Sequence, residues 1–191
     1  MTDQPEHRIV ISPIGDFDAE FFKQISKEIN RIFGYPTEII SVLKEVEFAF
    51  DSDRNQYHST PILEKLADLA PLQAVRLLAI IRVDLFIPIL THVYGEAQLG
   101  GKACIVSTHR LNEGLSSVYS DETYRRRIVK EAIHELGHTF NLRHCQEYTC
   151  IMHYCRSIQD VDRKSDQLCR YCKILLTDEI KRLAENSPPA L

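Results

Sequence analysis

The sequence predicts an α/β fold, a mainly parallel sheet with helices packed on it. Three observations predict it. Strand-like and helix-like segments alternate through the first ninety residues, the order that builds parallel sheets. Hydrophobic residues make up 44% of a 191-residue chain, enough for a substantial core. A polar stretch rich in Cys and His then follows the longest helical pattern, and burial alone cannot organise such a segment.

Taken in order, Arg8 to Ile14 alternates polar and β-branched residues and stops at Pro13-Ile14-Gly15, a strand followed by a turn. From Asp18 to Phe33, the residues Phe21, Phe22, Ile25, Ile29, Ile32 and Phe33 recur at helical spacing, and Gly34 supplies a stop. Thr37 to Phe48 reads as a second strand. Thr60-Pro61 opens a second helix whose apolar face is Ile62, Leu63, Leu66, Leu69 and Ala70. Val75 to Ile87 is the third strand. Glycines at 95, 100 and 101 precede a short apolar strand at Ala103 to Ser107, and glycines there mark a bulge, an edge or close approach of another backbone. A third helix runs from Asp121 to His138, with the Asp121-Glu122 pair favouring its start and Ile128, Ala132, Ile133, Leu136 and Phe140 on its core face. A last helix covers Thr177 to Glu185, and the proline-containing tail from Asn186 to Leu191 is expected to fray. The chain accordingly divides into an N-terminal part, residues 1–141, and a C-terminal part, residues 142–191.

A net charge of -4 offers no general attraction to phosphate backbones or anionic lipid, so nucleic acid and membrane are poor partners. Residues 75–90, the most apolar segment, are interrupted by Arg76, Arg82, Asp84 and Pro88 and are too short to span a bilayer. The opening MTDQPEHRIV lacks the basic then apolar pattern of a signal peptide, which predicts a cytoplasmic protein.

His134-Glu135-Leu136-Gly137-His138 sets two imidazoles on one helix face, four residues apart, as shared ligands of one metal. His144 is the third candidate. It lies six residues past His138, too far along to share that face, so the chain must turn sharply between them. Asn141 suits the turn, because Asn tolerates positive φ better than any residue but Gly. Three protein ligands leave a zinc position open for hydrolysis. Cys145, Cys150 and the close pair Cys169 and Cys172 form a second ligand set, four thiolates suited to tetrahedral zinc. Cys104 and Cys155 are left over as free, buried thiols. His7, His58, His92, His109 and His153 match no ligand spacing, and the run Arg125-Arg126-Arg127 reads as a solvated helix face.

The segment from His134 to His144 resembles the extended metzincin consensus, with Asn141 in place of a Gly. Ile151-Met152-His153-Tyr154 resembles the Met-turn of that clan. Together with His144-Cys145, Cys150 and the closing cysteine pair, residues 134–172 resemble the archaemetzincin family, relatives that carry a second zinc on four cysteines. The resemblance implies a zincin-like fold with a mixed, mostly parallel twisted sheet and a zinc-stabilised C-terminal subdomain. It implies two zinc ions per chain, one catalytic on His134, His138 and His144, one structural on Cys145, Cys150, Cys169 and Cys172. It also implies that Met152 lies beneath the catalytic metal, that Tyr154 binds zinc or stabilises the transition state, and that the strand near Ala103 to Ser107 forms the upper rim of the cleft and pairs with an extended peptide.

These readings combine into a zinc metallopeptidase acting on peptide or protein substrates, with Glu135 as general base and then acid. Two rivals use the same residues. One is a catalytically silent, zinc-stabilised peptide-binding adaptor, and the other is a metal-dependent hydrolase of a non-peptide substrate. Glu135 argues against the first, and a pocket shaped by loops hides the distinction from the second.

Overall fold

The structure, a computed structural model, describes residues 7–116 and 120–185. Five strands, β1 (Arg8–Ile14), β2 (Thr37–Ile39), β5 (Ala74–Ile81), β7 (Gly95–Ala97) and β8 (Ala103–Ser107), form one sheet in the order β2-β1-β5-β8-β7. The first four in that order are parallel, and β7 closes the sheet antiparallel to β8. Both faces are buried, as helices on both sides of a parallel sheet require. Ile9, Ile11, Leu78, Ile80, Cys104 and Val106 enter one apolar cluster, and their alternate neighbours Val10, Leu77, Ala79, Ala103 and Ile105 enter the other.

Helices α1 (Ala19–Phe33) and α3 (Ser120–Thr139) cover the first face, and α2 (Ser59–Leu69) covers the second. Local signals set the ends of α1. The Asp18 carboxylate accepts from the Glu20 N–H at 2.9 Å, and Gly34 takes a left-handed φ of 76° while its N–H closes on Asn30 O. The expected core face of α3 is buried throughout, from Ile128 to Phe140. In α2 the buried side is Ile62, Leu63 and Leu66, whereas Leu69 is 42% exposed at the helix end.

Several expectations need correction. The strand expected from Thr37 to Phe48 ends at Ile39. Its ladder partner is the reason: Ile9 N–H donates to Pro36 O, but Pro13 has no N–H to extend the same ladder. Side chains take over, with Ser41 Oγ donating to Pro13 O and Ser12 Oγ accepting from Val42 N–H. The strand expected from Val75 to Ile87 divides. β5 ends at Ile81, whose carbonyl accepts from Thr108, and β6 (Leu85–Phe86) joins a separate small sheet with β3 (Phe50–Asp51) and β4 (Gln56–His58). This small sheet braces the segment before β7, since Arg54 and Gln56 donate to the carbonyls of Leu90 and Thr91. Helix α4 (Ile158–Arg163) was not expected, and α5 (Arg170–Glu185) starts seven residues before Thr177.

The strand Ala103–Ser107 does not form the rim. Both its edges are taken, by β5 and by β7, so β7 is the free edge of the sheet. Arg127 is not solvated either. It is 5% exposed and grips Asp162 with two hydrogen bonds of 2.7 Å, while Lys130 Nζ donates to the carbonyls of Val161 and Asp162 at the end of α4. Cations at a helix C-terminus satisfy its open carbonyls, and here they clamp α4 to α3. The Asp121 side chain and the tail from Asn186 to Leu191 lie outside the described residues. No helix among the described residues is long and apolar enough to cross a membrane.

Candidate metal centre and cleft

Helix α3 presents His134 and His138 one turn apart, and backbone carbonyls fix how each ring is protonated. His134 Nδ1 lies 2.9 Å from Ile151 O, and His138 Nδ1 lies 2.7 Å from Leu142 O. A carbonyl only accepts, so each Nδ1 carries the proton and each Nε2 is left with a bare lone pair. These two Nε2 atoms face each other at 3.2 Å. Burial pushes His138 down to about 4 and His134 well below the usual imidazole range, so both rings are neutral at neutral pH and could accept a cation.

The helix then stops by a left-handed turn. Asn141 has φ 62°, its N–H closes on His138 O at 2.9 Å, and Leu142 N–H closes on Gly137 O at 3.0 Å. The reversal brings His144 back, with its ring 4.8 Å from that of His138 and 5.4 Å from that of His134. One ligand atom from each of the three lies within 4.8 Å of the others. Converging lone pairs with no proton between them repel unless a cation sits among them, and the donor set fits zinc.

Met152 is fully buried behind this group, at a tight turn closed by His153 N–H on Cys150 O. Gly137 makes room for it: a Cβ there would lie 2.4 Å from Met152 Sδ. Glu135 meets a similar constraint. A Cβ on Gly95 would lie 2.6 Å from Glu135 Cγ, so the β7 backbone passes directly over the Glu135 side chain. Burial, then the neighbouring Glu131 carboxylate, push the Glu135 carboxyl well above its usual range, while Lys164 opposes them. Tyr154 stands 43% exposed beside His144, ring centroids 4.9 Å apart.

A cleft of about 620 Å³ joins these parts, with β7 and its preceding segment on one side, α3 as floor, and residues 143–156 opposite. Cys155 lines it, half-buried, and burial raises its thiol to about 11. Cys104 lies instead in the sheet core. Beneath the cleft, Lys164, whose side chain has no exposed surface, pairs with Glu131 at 2.7 Å. Burial alone lowers its pKa, but the Glu131 charge more than offsets that and holds it raised. Sequence reasoning missed both residues. Glu131 had a signal, since Arg127, Glu131, His134, Glu135 and His138 form a polar stripe at helical spacing; Lys164 had none.

The second ligand set also assembles. Sulfur atoms of Cys145, Cys150, Cys169 and Cys172 lie within 4.8 Å of one another. Cys145 Sγ and Cys169 Sγ are 3.7 Å apart, far beyond a disulfide and close to the ~3.8 Å that two sulfurs span on tetrahedral zinc. Backbone N–H groups of Glu147, Cys169 and Cys172 point at these sulfurs, which favours thiolates. Burial and the neighbouring Cys150 push the Cys172 thiol up, a penalty that a bound dication removes.

Comparison with known proteins shows what the chain resembles. The model of peptidase family M54 matches residues 4–178. The archaemetzincin of Methanocaldococcus jannaschii is 35% identical over 172 residues, which cover 90% of this chain and 93% of that one. The crystal structure of archaemetzincin from Methanopyrus kandleri superposes with a TM-score of 0.83 at 30% identity, covering 95% of this chain and 99% of that one. A zinc-dependent peptidase from Methanocorpusculum labreanum superposes with a TM-score of 0.78 at 28% identity, covering 88% and 99%.

Proposed function

The chain belongs to peptidase family M54, the archaemetzincins, and is a zinc metallopeptidase; from that premise we propose that it hydrolyses peptide bonds in the cleft between β7 and α3, as a metzincin-type enzyme. The observation that carries the reading is the convergence of three imidazoles beside the buried Glu135. His134, His138 and His144 hold the catalytic zinc, and Cys145, Cys150, Cys169 and Cys172 hold a second, structural one. When bound at the histidines, zinc supplies Lewis acidity, which polarises a carbonyl and makes water a competent nucleophile near neutral pH.

The protein's own groups supply binding and proton transfer. β7 bonds to β8 through Tyr94 and Gln98, so the intervening Gly95 and Ala97 turn their backbone groups toward the cleft. An extended peptide adds there antiparallel to β7. Glu135 takes a proton from the attacking water and passes it to the leaving amine, a role that suits a carboxylate with a raised pKa. Tyr154, whose hydroxyl has no hydrogen bond to another described residue, donates to the developing oxyanion. Six cysteines without a disulfide support a reducing, cytoplasmic setting.

Zinc content and peptide turnover, measured together for the parent, Glu135→Gln and His138→Ala, test the reading. Glu135→Gln is expected to keep its metal and lose about a hundredfold or more in turnover, while His138→Ala loses the catalytic ion. A Glu135→Gln variant with full activity refutes the proton-transfer role. A zinc-loaded parent that cleaves nothing in a broad peptide library points to the adaptor instead.

A further inference from the structure

The cleft has an uneven distribution of charge that the catalytic reading leaves unused. Two carboxylates line it, and neither offers a free charge to a substrate side chain: Glu131 is 3% exposed and neutralised by Lys164, and Glu135, 6% exposed under β7, is taken up by proton transfer. Two guanidiniums line it as well, those of Arg143 and Arg156. Both residues are exposed, and neither guanidinium has an ion pair or hydrogen bond among the described residues. The solvent-facing charge of the cleft is therefore positive, although the chain as a whole carries -4.

The two arginines also lie at opposite ends. Arg143 follows the left-handed turn that ends α3, next to the point where Gly100 N–H bonds to His138 O beyond β7. Arg156 leads into α4, which Arg127 and Lys130 fasten to the earlier turns of α3. Glu131 to His138 along the floor corresponds to about 10 Å of helix, and an extended chain covers that in about three residues. An unpaired guanidinium at each end of so short a path meets the residues that immediately flank the scissile bond.

We propose that Arg143 and Arg156 make acidic peptides the preferred substrates, Arg143 engaging a carboxylate on the N-terminal side of the scissile bond and Arg156 one on the C-terminal side. The inference rests on the peptidase reading and on a peptide running antiparallel to β7. Guanidinium and carboxylate match as a planar pair of hydrogen bonds, so the preference distinguishes acidic from neutral side chains of the same shape.

The test uses the zinc-loaded full chain and peptides of one core sequence with Glu or Gln within two residues of the cleaved bond on either side. The readouts are the Glu-to-Gln ratio of kcat/KM and, independently of turnover, the ratio of affinities of fluorescein-labelled peptides for Glu135→Gln by anisotropy. Each acidic residue is expected to favour cleavage and binding by about three- to fivefold, less in high salt. Arg143→Ala should erase the ratio on the N-terminal side alone, and Arg156→Ala on the C-terminal side alone. Equal rates and affinities for Glu and Gln peptides in the parent overturn the inference while leaving the peptidase intact. So does a preference that survives both substitutions. A parent that cleaves no peptide of either kind overturns the peptidase reading and the inference with it.

Discussion

Replacing Lys164 by Met is expected to destabilise the protein severely, because the change strands a charge. The Lys164 ammonium has no exposed surface, and its partner Glu131 is 3% exposed and 2.7 Å away. Removing one member of a buried pair leaves the other uncompensated, at a cost of about 3–5 kcal/mol. For a chain of this length that lowers Tm by about 10 °C. Replacing both members, Glu131→Met with Lys164→Met, removes two desolvation penalties together and should recover most of that loss. The assay is urea unfolding at fixed excess zinc, followed by far-ultraviolet circular dichroism since the chain has no Trp. A single variant that costs less than about 1 kcal/mol, or a double variant no more stable than the single one, refutes the argument that the pair is held by mutual neutralisation.

Asn141→Gly should retain catalytic zinc, whereas Asn141→Val should bind it more weakly, because a β-branched residue resists the φ of 62° found there; competition with a chelator measures both. Cys172→Ser should lower zinc from two equivalents to one on metal analysis and reduce thermal stability, since metal binding is coupled to the fold of that segment. Asp162 is held below the usual carboxylate range, chiefly by hydrogen bonds from Arg127. A depressed carboxylate pKa stabilises above the unfolded value near 4 and is lost as pH falls through the folded one. Asp162→Asn should therefore be less stable at neutral pH, by about 1 kcal/mol or less because the side chain is partly exposed, and the difference should close as pH falls through the depressed folded pKa; unfolding curves across pH check it.

Where structure follows from neighbouring residues, the sequence was legible. Asp18 and Gly34 bound α1, and Asn141 turns the chain after α3, because each acts through its own backbone or the next turn. The grouping of the three histidines and of the four cysteines was legible for the same reason, as spacing on a helix and along a loop determines which atoms can meet. The early end of β2 was not, since it follows from Pro13 on a strand whose neighbour sequence does not reveal. Helix α4 carried a readable signal in Ser157 and Asp160, which form a capping box, but six residues of helix show too little periodicity. The start of α5 was obscured because its first turns are apolar only at Cys172 and Leu176 on the inner side. Lys164 shows the limit most clearly: nothing near it in sequence announces that a lysine will be buried against Glu131.

His144 and Cys145 are joined by a single peptide bond, yet one belongs to the histidine group and the other to the cysteine group. A cation at either site restrains the φ and ψ of a segment that the other site also needs restrained. The two affinities are therefore linked, and linkage is reciprocal: whatever factor an ion on the thiolates adds to binding at the imidazoles, an ion at the imidazoles returns. An oxidant or chelator that reaches only the sulfurs thus acts at a distance on the catalytic centre, through the entropy of one short loop.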